Sequence, residues 1–311
     1  MPHSSILETI GHTPLVELKS FSPREGVRLF AKLEGQNPTG SVKDRIALAM
    51  VEQAERDGKV QPGGTILEST SGNTGISLAM ICRLRGYRFV AVMPENVSEE
   101  RRGLLRAFGA EIVLTDGSKG SNGAIAVAQK MAAEHPDYHL LYQYGNPANP
   151  RAHYEGTAVE ILDELPDLSA FVAGLGTGGT LMGVSRRLKE HDSRIQVVAG
   201  EPNLGDLVYG LRSLDEGFVP PILDLALLDH KIVVSSEDGI RFTRELLWRE
   251  GIFAGVSSGA AVSCAVRVAQ RMERGNIVVL LADGGWKYLS TQLWMKELEQ
   301  ASTDLQGQLL W

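Results

Sequence analysis

Four short stretches combine residue types and spacings suited to chemistry. In NPTGSVKDR (residues 37–45), a turn-forming run of Asn37, Pro38, Thr39 and Gly40 leads to Ser41, which reads as a helix N-cap, so Lys43 falls in the first helical turn. A cation there opposes the positive end of the helix macrodipole. Helical spacing from Lys43 reaches Ala47, Met50 and Ala54, an apolar stripe expected to face the core, so the lysine looks inward. Lysines commonly bury only the stem and keep the ammonium in water. Desolvation beside positive potential, however, favours the neutral amine, which is what a nucleophilic or Schiff-base lysine requires.

STSGNTG (residues 69–75) lies between the apolar run GTILE and the helical run ISLAM. Its hydroxyls, amide and two glycines at a helix start offer more donors than a plain N-cap needs, and they suit a carboxylate. GTGGT (176–180) follows FVAGL directly and lacks both the P-loop lysine and the GxGxxG spacing. Its glycines let successive N–H groups converge beside two threonine hydroxyls, which suits a single phosphate. GVSSG (255–259) opens another helix and also matches an ordinary serine N-cap. An inward lysine, a carboxylate loop and a phosphate cup without nucleotide features together describe an amino acid beside a phosphorylated, Schiff-base-forming cofactor, pyridoxal phosphate.

The elements that must position these loops alternate along the chain. VRLFAKLE (27–34), GTILES, RFVAVMP, EIVLTD and YHLLYQY (138–144) read as strands, separated by helices from Ser41, Asn73, Ser98 and Ser121. A second series places a helix from Arg151, the strand FVAGL (171–175), a helix after Gly179 and the strand IQVVAGEP (195–202). It closes with helices near 237–250 and 258–272 and the strand IVVLLAD (277–283). This rhythm predicts an α/β fold of two open, mostly parallel sheets flanked by helices, with ligands beyond the carboxyl ends of the strands. YQYGNPANP reads as the join between two lobes, and 203–235 as a long functional loop or flap.

The chain has 311 residues, 43% hydrophobic and 22% charged, with a net charge of −7 and no basic run, which disfavours a nucleic-acid partner. Cys82 and Cys264 sit in apolar helical runs and read as core residues, and the seven histidines show no zinc spacing, so no metal is expected. No signal-peptide pattern or membrane-length apolar run is evident, so the reading is a cytoplasmic protein. The apolar end Leu309-Leu310-Trp311 follows a polar stretch and is expected to dock, either as a packed staple or as a lid over the cleft.

NPTGSVKDR, TSGNTG, GTGGT and GVSSG, in this order over essentially the whole chain, resemble the cysteine synthase family of fold-type II pyridoxal-phosphate enzymes. The resemblance implies the tryptophan synthase β-like fold with its active site between two lobes: a smaller lobe of 40–146, and a larger one of 1–39 and 147–311 with a tail at 303–311. It implies that Lys43 carries the cofactor and moves the Cα proton, that Asn73 bonds the ring oxygen, and that Gly176, Thr177, Gly178, Gly179 and Thr180 hold the phosphate. Ser257 would face the pyridine nitrogen, and Thr70, Ser71, Thr74 and Gln143 would receive the substrate carboxylate. The reaction implied is β-replacement on an O-activated serine to give cysteine, by a homodimer.

EGIFAGVSSG, GWKYLST and GQLLW look most like the subgroup that pairs O-phosphoserine with a thiocarboxylated sulfur-carrier protein, in which Arg212 would bind the substrate phosphate. O-acetylserine with free sulfide is the close alternative; cystathionine synthase and serine or threonine dehydratase are more distant ones. A nucleotide-dependent oxidoreductase on a similar sheet lacks its GxGxxG here.

Overall fold

A computed structural model describes residues 2–70 and 72–306. Ten strands are β1 (Leu15–Glu17), β2 (Val27–Leu33), β3 (Thr65–Ser69), β4 (Arg88–Pro94), β5 (Glu111–Thr115), β6 (Tyr138–Leu140), β7 (Leu168–Gly174), β8 (Gln196–Pro202), β9 (His230–Val234) and β10 (Gly275–Leu281). The helices are α1 (Lys43–Arg56), α2 (Asn73–Arg85), α3 (Glu99–Ala107), α4 (Gly120–Glu134), α5 (Ala148–Ala152), α6 (Ala158–Glu164), α7 (Gly179–His191), α8 (Ser236–Glu250), α9 (Val256–Arg271) and α10 (Leu298–Gln306). The described chain divides into two compact units, one of residues 2–10 and 43–149 and the other of 11–42 and 150–306.

The first unit holds a four-stranded sheet in the order β5-β4-β3-β6, parallel throughout. β3 is buried along its whole length and β4 everywhere except Arg88, the continuous apolar pattern of parallel strands covered on both faces. Because Leu67 of β3 pairs with Leu140 of β6, the loops after these neighbouring strands leave the sheet at one edge. Thr70, which follows β3, and the start of loop 141–147 are thereby brought together by register. On α1, Ala47, Met50 and Ala54 are all buried, as the helical stripe counted from Lys43 predicts.

The second unit holds the six-stranded sheet β1-β2-β10-β7-β8-β9, in which only β1 is antiparallel to its neighbour. Leu281 of β10 pairs with Leu33 of β2, and Gly174 of β7 with Gly200 of β8. The carboxyl ends of these strands lie along one edge, from which loops 34–42, 282–284 and 175–178 emerge. Phe171, Val184, Leu188, Val197 and Val278 pack in the core beneath.

Several sequence expectations change. The 203–235 segment is not one loop: it contains β9, an edge strand whose His230 and Lys231 are exposed and mask its apolar alternation. The strand expected over 138–144 stops at Leu140, because Tyr142 takes a left-handed backbone (φ 56°) that turns the chain. The helix expected from Arg151 begins at Ala148 and is interrupted by a π-helical turn, His153–Thr157. The C-terminal residues 307–311, with the proposed lid or staple, lie outside the described residues.

Candidate active site

In the first unit, α1 starts at Lys43 itself. Just before it, in the second unit, Ser41 forms a β-bridge with Asp283, and the Val42 N–H bonds to the Ala282 carbonyl at 2.8 Å. A turn anchored at the end of β10 therefore leads the chain into α1. Glu34 holds that turn from inside, accepting from the Thr13 hydroxyl at 2.7 Å and from Asn37 Nδ2 at 2.8 Å, while Asn37 Oδ1 accepts from the Gly11 N–H. Lys43 is half-buried. Its neighbour Asp44 is fully buried and accepts from the Ser77 hydroxyl, one turn along α2 from Asn73.

The loop before α2 closes on itself. Thr70 Oγ1 accepts the Gly75 N–H at 3.0 Å, and a Cβ on Gly75 would stand 3.0 Å from the Thr70 methyl, so the glycine admits this close turn. Thr74 donates to Gln143 Oε1 at 2.8 Å, Gln143 Nε2 donates to the Ser69 carbonyl at 3.3 Å, and Asn149 Nδ2 holds the Gln143 carbonyl at 2.9 Å. Thr70, Thr74 and Gln143, expected to act together, are thus one buried cluster; Ser71 lies outside the described residues.

Behind this cluster sits Glu68, which the sequence reading passed over as a strand residue. It is buried, accepts the Gln143 N–H at 3.3 Å, and leaves Oε2 without a hydrogen-bond partner among the described residues. Burial pushes its carboxyl up to about 8, only partly opposed by the backbone N–H groups of Gln143 and Tyr142, so it is largely protonated at neutral pH.

In the second unit, α7 begins at Gly179 with Gly178 as its cap in the left-handed conformation (φ 87°). The Gly179 N–H is 3.3 Å from Thr177 Oγ1. A Cβ on Gly176 would lie 2.6 Å from the Gly210 carbonyl oxygen, so backbone alone fits there. Next to this loop the Arg212 N–H donates to the Leu175 carbonyl at 2.8 Å; the Arg212 side chain is buried with its guanidinium over the Phe218 ring at 4.5 Å. Ser257 is buried in the first turn of α9, whose cap is Gly255. The serines of GVSSG are therefore inside the helix and do not cap it, and the Ser258 hydroxyl has no partner among the described residues.

The donor set fits a phosphate monoester: two threonine hydroxyls and side-chain-free backbone at the N-terminus of a 13-residue helix, where the dipole favours an anion. Residues 6–283 match the family described as pyridoxal-phosphate dependent enzyme. The chain belongs to this family. A cysteine synthase of Staphylococcus aureus is 45% identical over 303 residues, covering 94% of this chain and 97% of the relative. Cysteine synthase B of Salmonella typhimurium is 43% identical over 295 residues, with 94% and 97% covered. The crystal structure of an O-ureido-L-serine synthase superposes with a TM-score of 0.90 at 42% identity, over 96% of this chain and 97% of that one. The protein is a pyridoxal-phosphate-dependent enzyme of the cysteine synthase kind, with the α/β fold of two mostly parallel sheets that these relatives share.

Two features of this family member carried no sequence signal. Glu68 is one; the other is His153, buried in the π-helical turn with its imidazole bonded to Thr180 in the first turn of α7. Among the described residues no group of three or more His, Cys, Asp or Glu is placed to hold a metal, and no helix is long and apolar enough to cross a membrane.

Proposed function

We propose that the protein makes L-cysteine by β-replacement on an O-activated serine, most specifically O-phospho-L-serine. In this reading Lys43 holds the cofactor and, once released, takes the Cα proton of the substrate on Nζ. Asn73 bonds the ring oxygen; Gly176, Thr177, Gly178, Gly179 and Thr180 bind the phosphate; Thr70, Ser71, Thr74 and Gln143 receive the substrate carboxylate. Pyridoxal phosphate, when bound, supplies the electron sink that stabilises negative charge at Cα. Ser257, a neutral hydroxyl facing the ring nitrogen, keeps that sink moderate, which suits departure of the Cβ substituent and attack by sulfur. The smaller lobe (40–146) presents the lysine and carboxylate loop, and the larger lobe (1–39 and 147–311) the phosphate cup. A homodimer in the cytoplasm, supplied by a thiocarboxylated sulfur-carrier protein, completes the reading.

The observation that carries the O-phosphoserine assignment is Arg212. Its guanidinium is buried beside loop 175–178, tied through its backbone N–H to Leu175 directly ahead of the cup, where it could offer charge-assisted donors to a second phosphate. A relative named O-ureido-L-serine synthase shares the fold, so the fold alone does not select the leaving group. O-acetylserine with free sulfide is the second reading, favoured by the likeness to enzymes named simply cysteine synthase.

The test is a side-by-side assay of both substrates with the parent enzyme and Arg212→Ala. Loss of one partner of a desolvated charge pair costs about 2–5 kcal/mol, so kcat/KM for O-phosphoserine should fall at least about 30-fold while O-acetylserine suffers far less. Equal losses on both substrates, or a parent enzyme that prefers O-acetylserine, would reverse the assignment.

A further inference from the structure

β6 ends at Leu140, opposite Leu67 of β3, and the backbone pairing closes with the Leu141 N–H on the Leu67 carbonyl at 3.1 Å. There the chain turns. Tyr142 takes a left-handed backbone (φ 56°), which is unfavourable for any residue with a Cβ and persists only where the surroundings hold it. Each carbonyl of the turn has a donor: Asn146 Nδ2 on Leu141 at 2.8 Å, the Gly145 and Asn146 N–H groups on Tyr142 at 3.0 Å each, and Asn149 Nδ2 on Gln143 at 2.9 Å. The N–H groups of Tyr142 and Gln143 turn back to the buried carboxyl of Glu68, with the Gln143 nitrogen 3.3 Å from Oε1. The Glu68 side chain thus carries the hydrogen bonding of β3 past the point where β6 stops.

A fixed backbone at residue 143 fixes where its side chain starts. The Gln143 amide oxygen accepts from Thr74 at 2.8 Å and the amide nitrogen donates to the Ser69 carbonyl at 3.3 Å. That nitrogen carries two N–H groups, so a second is available to a substrate carboxylate. We propose that Glu68 is a positioning residue for substrate binding: by accepting from Tyr142 and Gln143 it holds the left-handed turn that aims the Gln143 side-chain amide at the carboxylate of the incoming amino acid.

This rests on the reading of Thr70, Ser71, Thr74 and Gln143 as the carboxylate site. Burial keeps the Glu68 carboxyl largely protonated at neutral pH, so an anionic substrate meets no like charge behind the amide that receives it. A Cβ on Gly145 would lie 2.6 Å from the Tyr142 ring, so glycine at this position lets the ring lie over the turn. The role of Glu68 is orientation, exerted through Gln143.

The test measures kcat and KM of the holoenzyme for O-phospho-L-serine and for O-acetyl-L-serine, with sulfide as the second substrate and pyridoxal 5'-phosphate affinity as the control. Variants are Glu68→Leu, Glu68→Gln, Gln143→Ala and the double variant Glu68→Leu/Gln143→Ala. Misplacing one hydrogen bond to the substrate should raise KM in Glu68→Leu by roughly three- to ten-fold, on both substrates because both carry the carboxylate, while kcat changes by less than about two-fold. Glu68→Gln, which keeps an acceptor, should recover most of the loss. Glu68→Leu should add little in the Gln143→Ala background, since it acts through that side chain. Pyridoxal phosphate affinity should stay level throughout.

Additive losses in the double variant, or an equal loss of pyridoxal phosphate affinity, would overturn the proposal, as would a parent-like KM in Glu68→Leu. A Glu68→Gln variant with parent-like KM and a much lower kcat would assign Glu68 to proton transfer instead and overturn it as well. A Gln143→Ala variant with parent-like KM would remove the carboxylate reading itself, and the proposal with it. Amide hydrogen exchange in the unsubstituted holoenzyme gives a check independent of any variant's folding: the Tyr142 and Gln143 amides should exchange slowly, and rapid exchange at both contradicts the proposal.

Discussion

The Ser77 hydroxyl of α2 donates to the buried carboxylate of Asp44, the residue next to Lys43, so the helix that starts at the lysine is bonded to the helix that starts at Asn73. The distance between the two helix starts is set by a charge-assisted bond as well as by apolar packing. Ser77→Ala removes one partner from a buried carboxylate, and such a loss costs about 1–3 kcal/mol. Denaturant unfolding should show a drop of that order, accompanied by slower turnover. Unchanged stability would mean that Asp44 is held well enough by its other surroundings.

Glu68 makes stability depend on pH in the less common direction. Its carboxyl is raised in the folded protein from 4.5 to about 8, so between these values folding takes up a proton that the unfolded chain lacks. Stability should therefore be unpenalised below about pH 4.5, decline as pH rises through the window, and carry the full cost above about pH 8, at a slope of up to about 1.4 kcal/mol per unit. Glu68→Gln keeps the shape and an acceptor for the Gln143 N–H but does not ionise. Its melting temperature relative to the parent should rise by a few degrees between pH 5 and pH 8. A difference that stays flat with pH would show that Glu68 is ionised in the folded protein.

The sites most legible in the sequence were those made locally. A helix N-terminus that follows a strand is written in adjacent residues, which is why the surroundings of Lys43, Asn73 and Gly179 could be read before any fold was known. Long-range placement was not legible. Ser41 reads locally as a cap, but its backbone bridge to Asp283 spans most of the chain and leaves no local trace. The π-helical turn at HYEGT has no compositional signal; it lies where the backbone of α7 at Gly183 passes too close to the Pro150 carbonyl to admit a side chain. β9 was hidden because an edge strand exposes charged residues where a central strand would show apolar ones. Glu68 was overlooked because burial on both faces of β3 follows from the sheet order, not from the letters of TILES.

The two cysteines should be inert in the folded enzyme. Burial pushes both the Cys82 and Cys264 thiols up to about 12, far from the thiolate form that reacts. A thiol reagent added at pH 8 should modify neither until denaturant is present, when both should react. Modification of the native protein with loss of turnover would place a reactive cysteine at the site and contradict the core assignment.

On the proposed function, Lys43 holds the cofactor covalently. Borohydride reduction of the holoenzyme fixes pyridoxal phosphate to whichever lysine carries it, and digestion with mass spectrometry then identifies the residue. The expected result is a single labelled peptide containing Lys43, bleaching of the visible cofactor band, and no label and no turnover in Lys43→Ala. A label on Lys32, Lys287 or any other lysine, or a Lys43→Ala variant with near-normal turnover, would contradict it.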